Sequence, residues 1–495
     1  MLKQLQNGSD IRGIALENEH KPVNLDITEC EKIAGGFYFW LKEKLDGKND
    51  IKIAVGMDSR LSGQTIKDAV IRTFTYLGCT VIDCGLATTP SMFMTTIFPS
   101  YDCDAALMIT ASHLPYYYNG IKFFTKSGGC ESDDITKILK YAENSYDKMS
   151  GGDVIERNIL NDYSDHLVSL IKKGIQSDEN YDKPLQNFKI IVDAGNGSGG
   201  FFAAKVLEVL GADTKGSQFL DPDGNFPNHV PNPEDKDAMD SITKATIING
   251  ADLGIIFDTD VDRAAIVTRD GEEINKNALI AMMSAIVLKE QPGATIVTDS
   301  VTSTGLTDFI GNLGGVHHRF KRGYRNVIRE CIRLNESGVN SPLAIETSGH
   351  GAMKENYFLD DGSYLIAKLL IEAAKLRREG KDLGSLIENL KEPKESSTYR
   401  LNIKTQNFKV YGDQVLDGLK GFIKRINGWT IEPKNYEGVR VNCNESSGNG
   451  WFLLRLSLHE PLMVLNIESD TSGGVDEIKG QLSKFLSRYD YVDTL

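Results

Sequence analysis

The chain has 495 residues, 40% hydrophobic and 25% charged, with a net charge of −14 at neutral pH. At roughly 150 residues per domain, this length suggests three or four domains of ordinary globular composition. The acidic balance excludes general nucleic-acid binding, which needs a basic surface, so any anionic ligand must meet locally placed arginines and lysines.

The N-terminal MLKQLQNGSD lacks the apolar core of a secretion signal. Seven scattered cysteines, without a CxxC spacing, read as reduced thiols of a cytoplasmic chain. From residue 51, IKIAVGMDSRLSGQTIKDAVIRTFTYLGCTVIDCG predicts a β-branched strand, a polar loop, a helix and, after Leu77-Gly78, a second extended run. The plan recurs from residue 188 (FKIIVDAGNGSGGFFAAKVLEVLGADTKGSQFLD) and from residue 294 (ATIVTDSVTSTGLTDFIGNLGGVHHRF). Leu210-Gly211 and Leu313-Gly314 stand at the corresponding helix ends. Right-handed crossover puts both strands of each unit in one parallel sheet, so three related α/β domains are expected.

Between the first two units, AALMITASHLPYYYNGIKFF at 105–124 predicts an apolar strand that stops at Thr110-Ala111-Ser112-His113. Strands that end in small polar residues deliver reactive groups to clefts; the plainer reading is a solvated turn. In the second unit, Gly195-Asn196-Gly197-Ser198-Gly199-Gly200 satisfies G-x-G-x-x-G, with Asp221 further on. The matching loops MDSRLSG and DSVTSTG lack that spacing. Glycines permitting a tight strand-to-helix turn are therefore preferred over nicotinamide binding.

From residue 251, ADLGIIFDTDVDRAAIV ends a strand in Asp258, Asp260 and Asp262. Three carboxylates so close repel unless a cation neutralises them, and an all-oxygen set suits Mg²⁺. Arg263 and Arg269, at the sixth and twelfth positions, exclude an EF-hand. An acidic turn capping a helix is the alternative. The longest apolar run, 278–288, is too short to span a bilayer and predicts a buried helix, so no membrane association is expected.

From residue 344, AIETSGHGAMKENYFLDDGSY sets Glu346, Ser348 and His350 in a glycine-flexed loop. Such groups suit sugar hydroxyls, or a plain polar surface loop. After the linker KEPKESS at 391–397, a smaller α+β domain is expected. TYRLNIK, GWFLLRLS and LMVLNIES read as its strands, and VYGDQVLDGLKGFIKRI as a helix. Between the last two strands, RLSLHEP at 455–461 offers a phosphate grip, or is an ordinary hairpin.

Together and in order, these segments resemble the α-D-phosphohexomutase superfamily, particularly its phosphomannomutase/phosphoglucomutase group. SDIRG at 9–13 is similar to the N-terminal Asp-Ile-Arg-Gly segment, VGMDSRLSG to Gly-x-Asp-x-Arg-x-Ser-Gly, and TASHLPYYYNGIK to the active-serine loop. DPDGNFPNHVPNPE resembles the Asp-Gly-x-Phe-Pro segment, DTDVDR the metal loop, ETSGH the sugar loop and RLSLHEP the phosphate loop. The resemblance implies an α/β fold of four domains around a central cleft: 1–158, 159–272 and 273–392 as related α/β domains, and 393–495 as an α+β domain.

It further implies that Ser112 is phosphorylated, one phosphoryl oxygen completing the site of a single Mg²⁺ held by Asp258, Asp260 and Asp262. The implied reaction interconverts hexose 1-phosphate and hexose 6-phosphate, of glucose or mannose, through a hexose 1,6-bisphosphate, with glucose 1,6-bisphosphate as activator. His113, Lys122, Arg12 and Arg263 would line the reacting phosphoryl group, and cationic neighbours would fit Lys122 for proton transfer. Glu346, Ser348 and His350 would hold the sugar, and Arg455, Ser457 and His459 the non-reacting phosphate. The implied protein is a cytoplasmic monomer or homodimer.

This chain departs from the pattern at Leu114, where the family has Asn, and at Leu458-His459, where an Asn-Thr pair is usual. Tyr324, counted with the substrate-binding residues, replaces a histidine of bacterial relatives, in a loop made basic by Lys321, Arg322 and Arg325. Ser112, the three aspartates and Glu346 keep the reaction class. The alternatives are a phosphoglucosamine mutase, which shares Glu-x-Ser-Gly-His; a Mg²⁺-dependent sugar phosphatase with Asp258 as nucleophile, which leaves ETSGH and RLSLHEP idle; and a non-catalytic sugar-phosphate-binding protein.

Overall fold

The structure, a computed structural model, describes residues 2–146, 151–177, 180–457 and 460–495. They fall into two units, Met1–Lys276 with Ser348–Ser385, and Asn277–Thr347 with Leu386–Leu495.

In the first unit, strand Lys52–Met57 pairs in parallel with Thr80–Leu86 on one side and Ala105–Ile109 on the other. Residues 105–109 are buried throughout, which is why they read as an unbroken apolar run. Tyr118–Thr125 returns antiparallel to Ala105–Ile109, and Asp10–Ile14 pairs antiparallel with it, Arg12 opposite Gly120. The chain before and after the Ser-His turn is thus fixed by ladder hydrogen bonds. Helix Ile27–Lys44, capped by the Asp26 side chain, packs Phe37 against Phe74 and Phe123. Helix Gly63–Tyr76 ends where expected, with Gly78 at φ +82°.

The second repeat departs from the expected plan. Strand Ile190–Asp193 lies parallel to Leu253–Phe257, which pairs antiparallel with Ala264–Thr268. Its helix, however, is a π-helical turn, Ala203–Leu207, and its second strand is reduced to the isolated bridges Lys189↔Asp213 and Asp193↔Gln218. Gly199 and Gly200 open the segment, and glycine is a poor helix former. Gly200 also lies so close to the Leu220 carbonyl that no side chain fits between them, so tertiary packing shapes this turn.

In the second unit, Thr295–Thr298 is parallel to Val316–Arg319 and Leu343–Ile345, so the third repeat keeps its plan. Helix Lys276–Glu290 is buried almost throughout 278–288, in agreement with its uniformly apolar sequence. The C-terminal domain is an antiparallel sheet in the order Glu395–Asn402, Leu462–Ser469, Gly450–Leu456, Val439–Cys443, Trp429–Ile431, carrying helices Phe408–Ile423 and Gly474–Leu486. The linker is shorter than its composition suggests, because Glu395–Ser397 already pairs with 467–469. All seven cysteines are buried free thiols, and among the described residues no helix is long and apolar enough to cross a membrane.

One buried acid in this domain makes stability depend on pH. Trp451 lies opposite Glu468 and donates its indole N–H to that carboxylate at 2.8 Å, with the Arg440 guanidinium 3.6 Å from the indole ring. Burial pushes the Glu468 carboxyl up to about 7. A folded-state pKa above the unfolded value favours the protonated acid, so this stability is full below about pH 4.5 and is lost as pH rises through 7. Glu468→Gln is expected to raise the unfolding midpoint at pH 8 by roughly 2–5 °C. Calorimetry near pH 4.5 should show no such gain.

Candidate active site

Ser112 is held at φ +51°, a left-handed conformation uncommon for serine. Its N–H donates to Thr110 Oγ1 at 2.9 Å, and Arg12 donates to the Thr110 carbonyl and to Asp10 at 3.0 Å. The larger support comes from Arg60, whose side chain is fully buried. Its guanidinium donates to the carbonyls of Pro115 (2.9 Å), Tyr118 (3.0 Å), Leu114 (2.6 Å) and Ser112, and Asp58 sits 3.3 Å behind it. One planar cation thereby donates to four carbonyls between Ser112 and the start of strand Tyr118–Thr125.

The acidic loop follows the buried strand Leu253–Phe257. Carboxylate oxygens of Asp258, Asp260 and Asp262 lie within 4.8 Å of one another. Between them Val261 is held at φ +66°, strained for a β-branched residue, and its carbonyl accepts the Gly362 N–H at 3.1 Å. Gly362 must be glycine, since a Cβ would stand 2.8 Å from the Arg263 backbone.

Cations converge on the loop. Arg263 Nε donates to Asp258 at 3.0 Å, and its Nη2 donates to Ser112 Oγ at 2.8 Å and to His113 Nδ1 at 2.6 Å. Ser112 Oγ donates to Asp258 at 3.1 Å. Lys122 Nζ pairs with Asp260 at 3.1 Å and with Asp262. The neighbours of Lys122 named here are therefore carboxylates, where cations were expected. His350 bonds Asp360 at 2.5 Å and lies 3.8 Å from Asp262.

The titrations follow this arrangement. Burial, then Asp262, raises Asp258 far above the usual carboxylate range. Burial is the largest influence on Asp260 and Asp262 and opposes their ionisation, but Lys122, Thr89 and Arg12 together hold Asp260 low, and Lys122, His350 and Arg263 together hold Asp262 low. Burial disfavours the charge on His350 too, yet Asp360 and Asp262 lift it to about 9. His113 is held down to about 3 by burial and Arg263, so it is neutral and accepts from that arginine through Nδ1. The donor set suits a hard divalent cation: Asp260 Oδ1 and Asp262 Oδ1 are buried without a hydrogen bond, and all the donors are oxygens.

The glycine loop is explained by packing. A Cβ on Gly197 would come 2.6 Å from the Thr259 carbonyl, and one on Gly199 would press 3.1 Å from the Phe257 ring. The Ser198 N–H donates to the Thr259 carbonyl at 2.8 Å. These glycines let the loop lie against the acidic loop, and the faces they leave bare are covered by protein.

The second unit holds the other expected residues. Glu346 accepts the Gly323 N–H at 2.6 Å, and Tyr324 opens helix Tyr324–Glu336 directly after it. Arg455 lies at the end of strand Gly450–Leu456, its Nε buried without a hydrogen bond among the described residues. Ser457 Oγ accepts the Glu460 N–H at 3.2 Å. Leu458 and His459 lie outside the described residues. Ser348 and His350 belong to the first unit.

Sequence reading missed Arg60, Thr89 and Asp360 as site residues. Arg60 stood inside VGMDSRLSG, where an Asp two residues before an Arg was the available signal. Thr89 Oγ1 donates to Asp260, a contact that no local pattern announces. Arg60→Lys keeps the charge but cannot span four carbonyls; faster hydrogen exchange at 112–118 is expected, with a stability loss of about 1–3 kcal/mol. Millimolar MgCl₂ should raise the unfolding midpoint of the wild type and leave that of Asp260→Asn unmoved.

The models for phosphoglucomutase/phosphomannomutase α/β/α domains I, II and III match residues 3–149, 161–271 and 275–393. The chain is 31% identical over 434 residues to a phosphomannomutase/phosphoglucomutase of Pseudomonas syringae pv. tomato, covering 88% of this chain and 86% of the relative. It is 32% identical over 445 residues to a phosphoglucomutase of Neisseria meningitidis serogroup A, covering 89% of each. Its fold is similar to the crystal structure of a phosphoglucomutase/phosphomannomutase family protein from Burkholderia thailandensis, with TM-score 0.79, 26% identity, and coverage of 97% and 96%.

Proposed function

The chain belongs to the phosphoglucomutase/phosphomannomutase family, and on that footing we propose that it interconverts hexose 1-phosphate and hexose 6-phosphate, of glucose or mannose, with Ser112 as phosphoryl carrier. The observation that carries this reading is the position of Ser112 Oγ, 2.8 Å from Arg263 and 3.1 Å from Asp258, beside three converging carboxylates. A serine that merely ended a turn would need neither partner.

In the first half-reaction the bond between phosphorus and Ser112 Oγ breaks as the 6-hydroxyl oxygen of hexose 1-phosphate bonds to phosphorus. The proton of that hydroxyl ends on Ser112 Oγ. Arg263 already donates to this oxygen and stabilises charge developing there, with neutral His113 3.3 Å from it and Arg12, on strand Asp10–Ile14, holding the Thr110 carbonyl. Lys122, paired with Asp260 and Asp262, lines the reacting phosphoryl group as a cation. A single Mg²⁺, held by Asp258, Asp260 and Asp262, would withdraw charge from the phosphoryl group. After the hexose 1,6-bisphosphate turns end for end, its 1-phosphoryl group passes to Ser112 and hexose 6-phosphate leaves. Glucose 1,6-bisphosphate activates by phosphorylating Ser112.

Glu346, Ser348 and His350 take the sugar hydroxyls, and Tyr324, which follows the Gly323 that Glu346 holds, is assigned to the same substrate. Arg455 and Ser457, with His459, hold the phosphate that is not reacting, and binding at that remote end anchors either orientation of the sugar. The buried, unbonded Nε of Arg455 supports this role, because it retains a donor for an anion. The reading includes a cytoplasmic monomer or homodimer with domains at 1–158, 159–272, 273–392 and 393–495.

The test is ³¹P NMR of the protein with Mg²⁺, glucose 1-phosphate or mannose 1-phosphate, and a trace of the matching 1,6-bisphosphate. Conversion to the 6-phosphate is expected, slowed at least ~10³-fold in Ser112→Ala. Release of inorganic phosphate, undiminished in that variant, would instead indicate a phosphatase.

A further inference from the structure

Glu437, in the C-terminal domain, has no part in the site described so far. Strand Val439–Cys443 runs antiparallel to Gly450–Leu456 with Val439 opposite Leu454, so the chain just before it runs alongside Arg455. Gly438, at φ +56°, permits the close approach: a Cβ there would clash with the Leu454 carbonyl and stand 2.8 Å from the Arg455 Cα. From this position Glu437 Oε1 lies 3.7 Å from Arg455 Nη1, with both side chains largely buried.

The other carboxylate oxygen of Glu437 faces a different segment. It accepts the Arg322 N–H at 3.0 Å and the Ser300 hydroxyl. The next amide along, Gly323 N–H, goes to Glu346 at 2.6 Å. Two successive amides of the basic loop are therefore held by carboxylates, one from the ETSGH loop and one from the segment that flanks Arg455. A carboxylate beside an anion site weakens the local attraction for phosphate, so what Glu437 contributes is order.

We propose that Glu437 is a positioning residue for phosphate recognition, orienting Arg455 and the loop 321–325 together. A sugar phosphate then meets a guanidinium already in place and does not have to immobilise a flexible one. The inference rests on the assignment of Arg455 to the non-reacting phosphate.

The experiment measures kcat and KM for glucose 1-phosphate in Glu437→Ala, Glu437→Gln, Arg455→Ala and the Glu437→Ala/Arg455→Ala double variant, each checked for an unchanged unfolding midpoint. Glu437→Ala is expected to raise KM roughly 10-fold with kcat within about twofold, since ground-state and transition-state binding fall together. Glu437→Gln keeps the acceptor for Arg322 and Ser300 without the charge, and should fall between Glu437→Ala and wild type. The double variant should match Arg455→Ala, because a residue acting through Arg455 has nothing left to position. An unchanged or lowered KM in Glu437→Ala, or an effect that adds to that of Arg455→Ala, overturns the proposal while leaving the reading of the site intact. An unchanged KM in Arg455→Ala overturns the phosphate assignment itself.

Discussion

Neutralising three carboxylates in one buried loop is the constraint on which the first unit depends. Asp258, Asp260 and Asp262 are at most 1% exposed, and an isolated buried carboxylate costs several kcal/mol even after relaxation. The compensating cations come from three separate places. Arg263 follows the loop directly, Lys122 lies 140 residues before Asp262 on strand Tyr118–Thr125, and His350 comes from the segment Ser348–Ser385 that returns to this unit. The charge of one loop thus draws distant segments together, and one of the cations that balance it, Arg263, also donates to Ser112. Local stability and the reactive arrangement share one cause.

The serine turn brings four backbone carbonyls together, and one cation serves them all. Arg60 spans them from behind, leaving the Ser112 hydroxyl to Arg263 and Asp258. The backbone is bent against its preference where the two loops present their groups, at Ser112 (φ +51°) and Val261 (φ +66°). Such conformations persist only where the surroundings overdetermine them, and here Thr110, Arg60 and Gly362 do so. Both loops are accordingly built rigid.

Much of this was legible in the sequence where chemistry and pattern coincide. The strand at 105–109, the apolar helix within 276–290, the glycine stops at 78, 211 and 314, and the spacing of the three aspartates all express local rules. Residues that act across the fold were not legible. Thr89 reaches Asp260 across 171 residues, and the Asp360 partner of His350 looked like an ordinary turn acid in LDDG. The second repeat misled because Gly199 and Gly200 answer to Phe257 and Leu220, contacts that helical periodicity cannot register. For the same reason, a glycine spacing that matched a dinucleotide fingerprint proved to be a packing solution.

The three repeats share a device that their sequences only hint at. Each carries a buried aspartate at the end of its first strand or directly after it, Asp58, Asp193 or Asp299, and each uses that carboxylate to hold a neighbouring segment. Asp58 backs Arg60, which grips the serine turn. Asp193 accepts the Gly195 N–H at 2.8 Å and bonds His229 at 3.0 Å, fixing the glycine loop and the segment before Asn232, whose side chain accepts from Arg263 at 3.1 Å. Asp299 accepts the Thr347 hydroxyl at 2.7 Å within ETSGH. A carboxylate at the carboxyl end of a parallel strand stands where α/β domains bind ligands. In this chain those positions serve as anchors, each bonded to a side chain or amide of a neighbouring loop. That arrangement lets one plan support three different loops: the anchor stays at the strand end while the anchored side chain, Arg60, His229 or Thr347, differs.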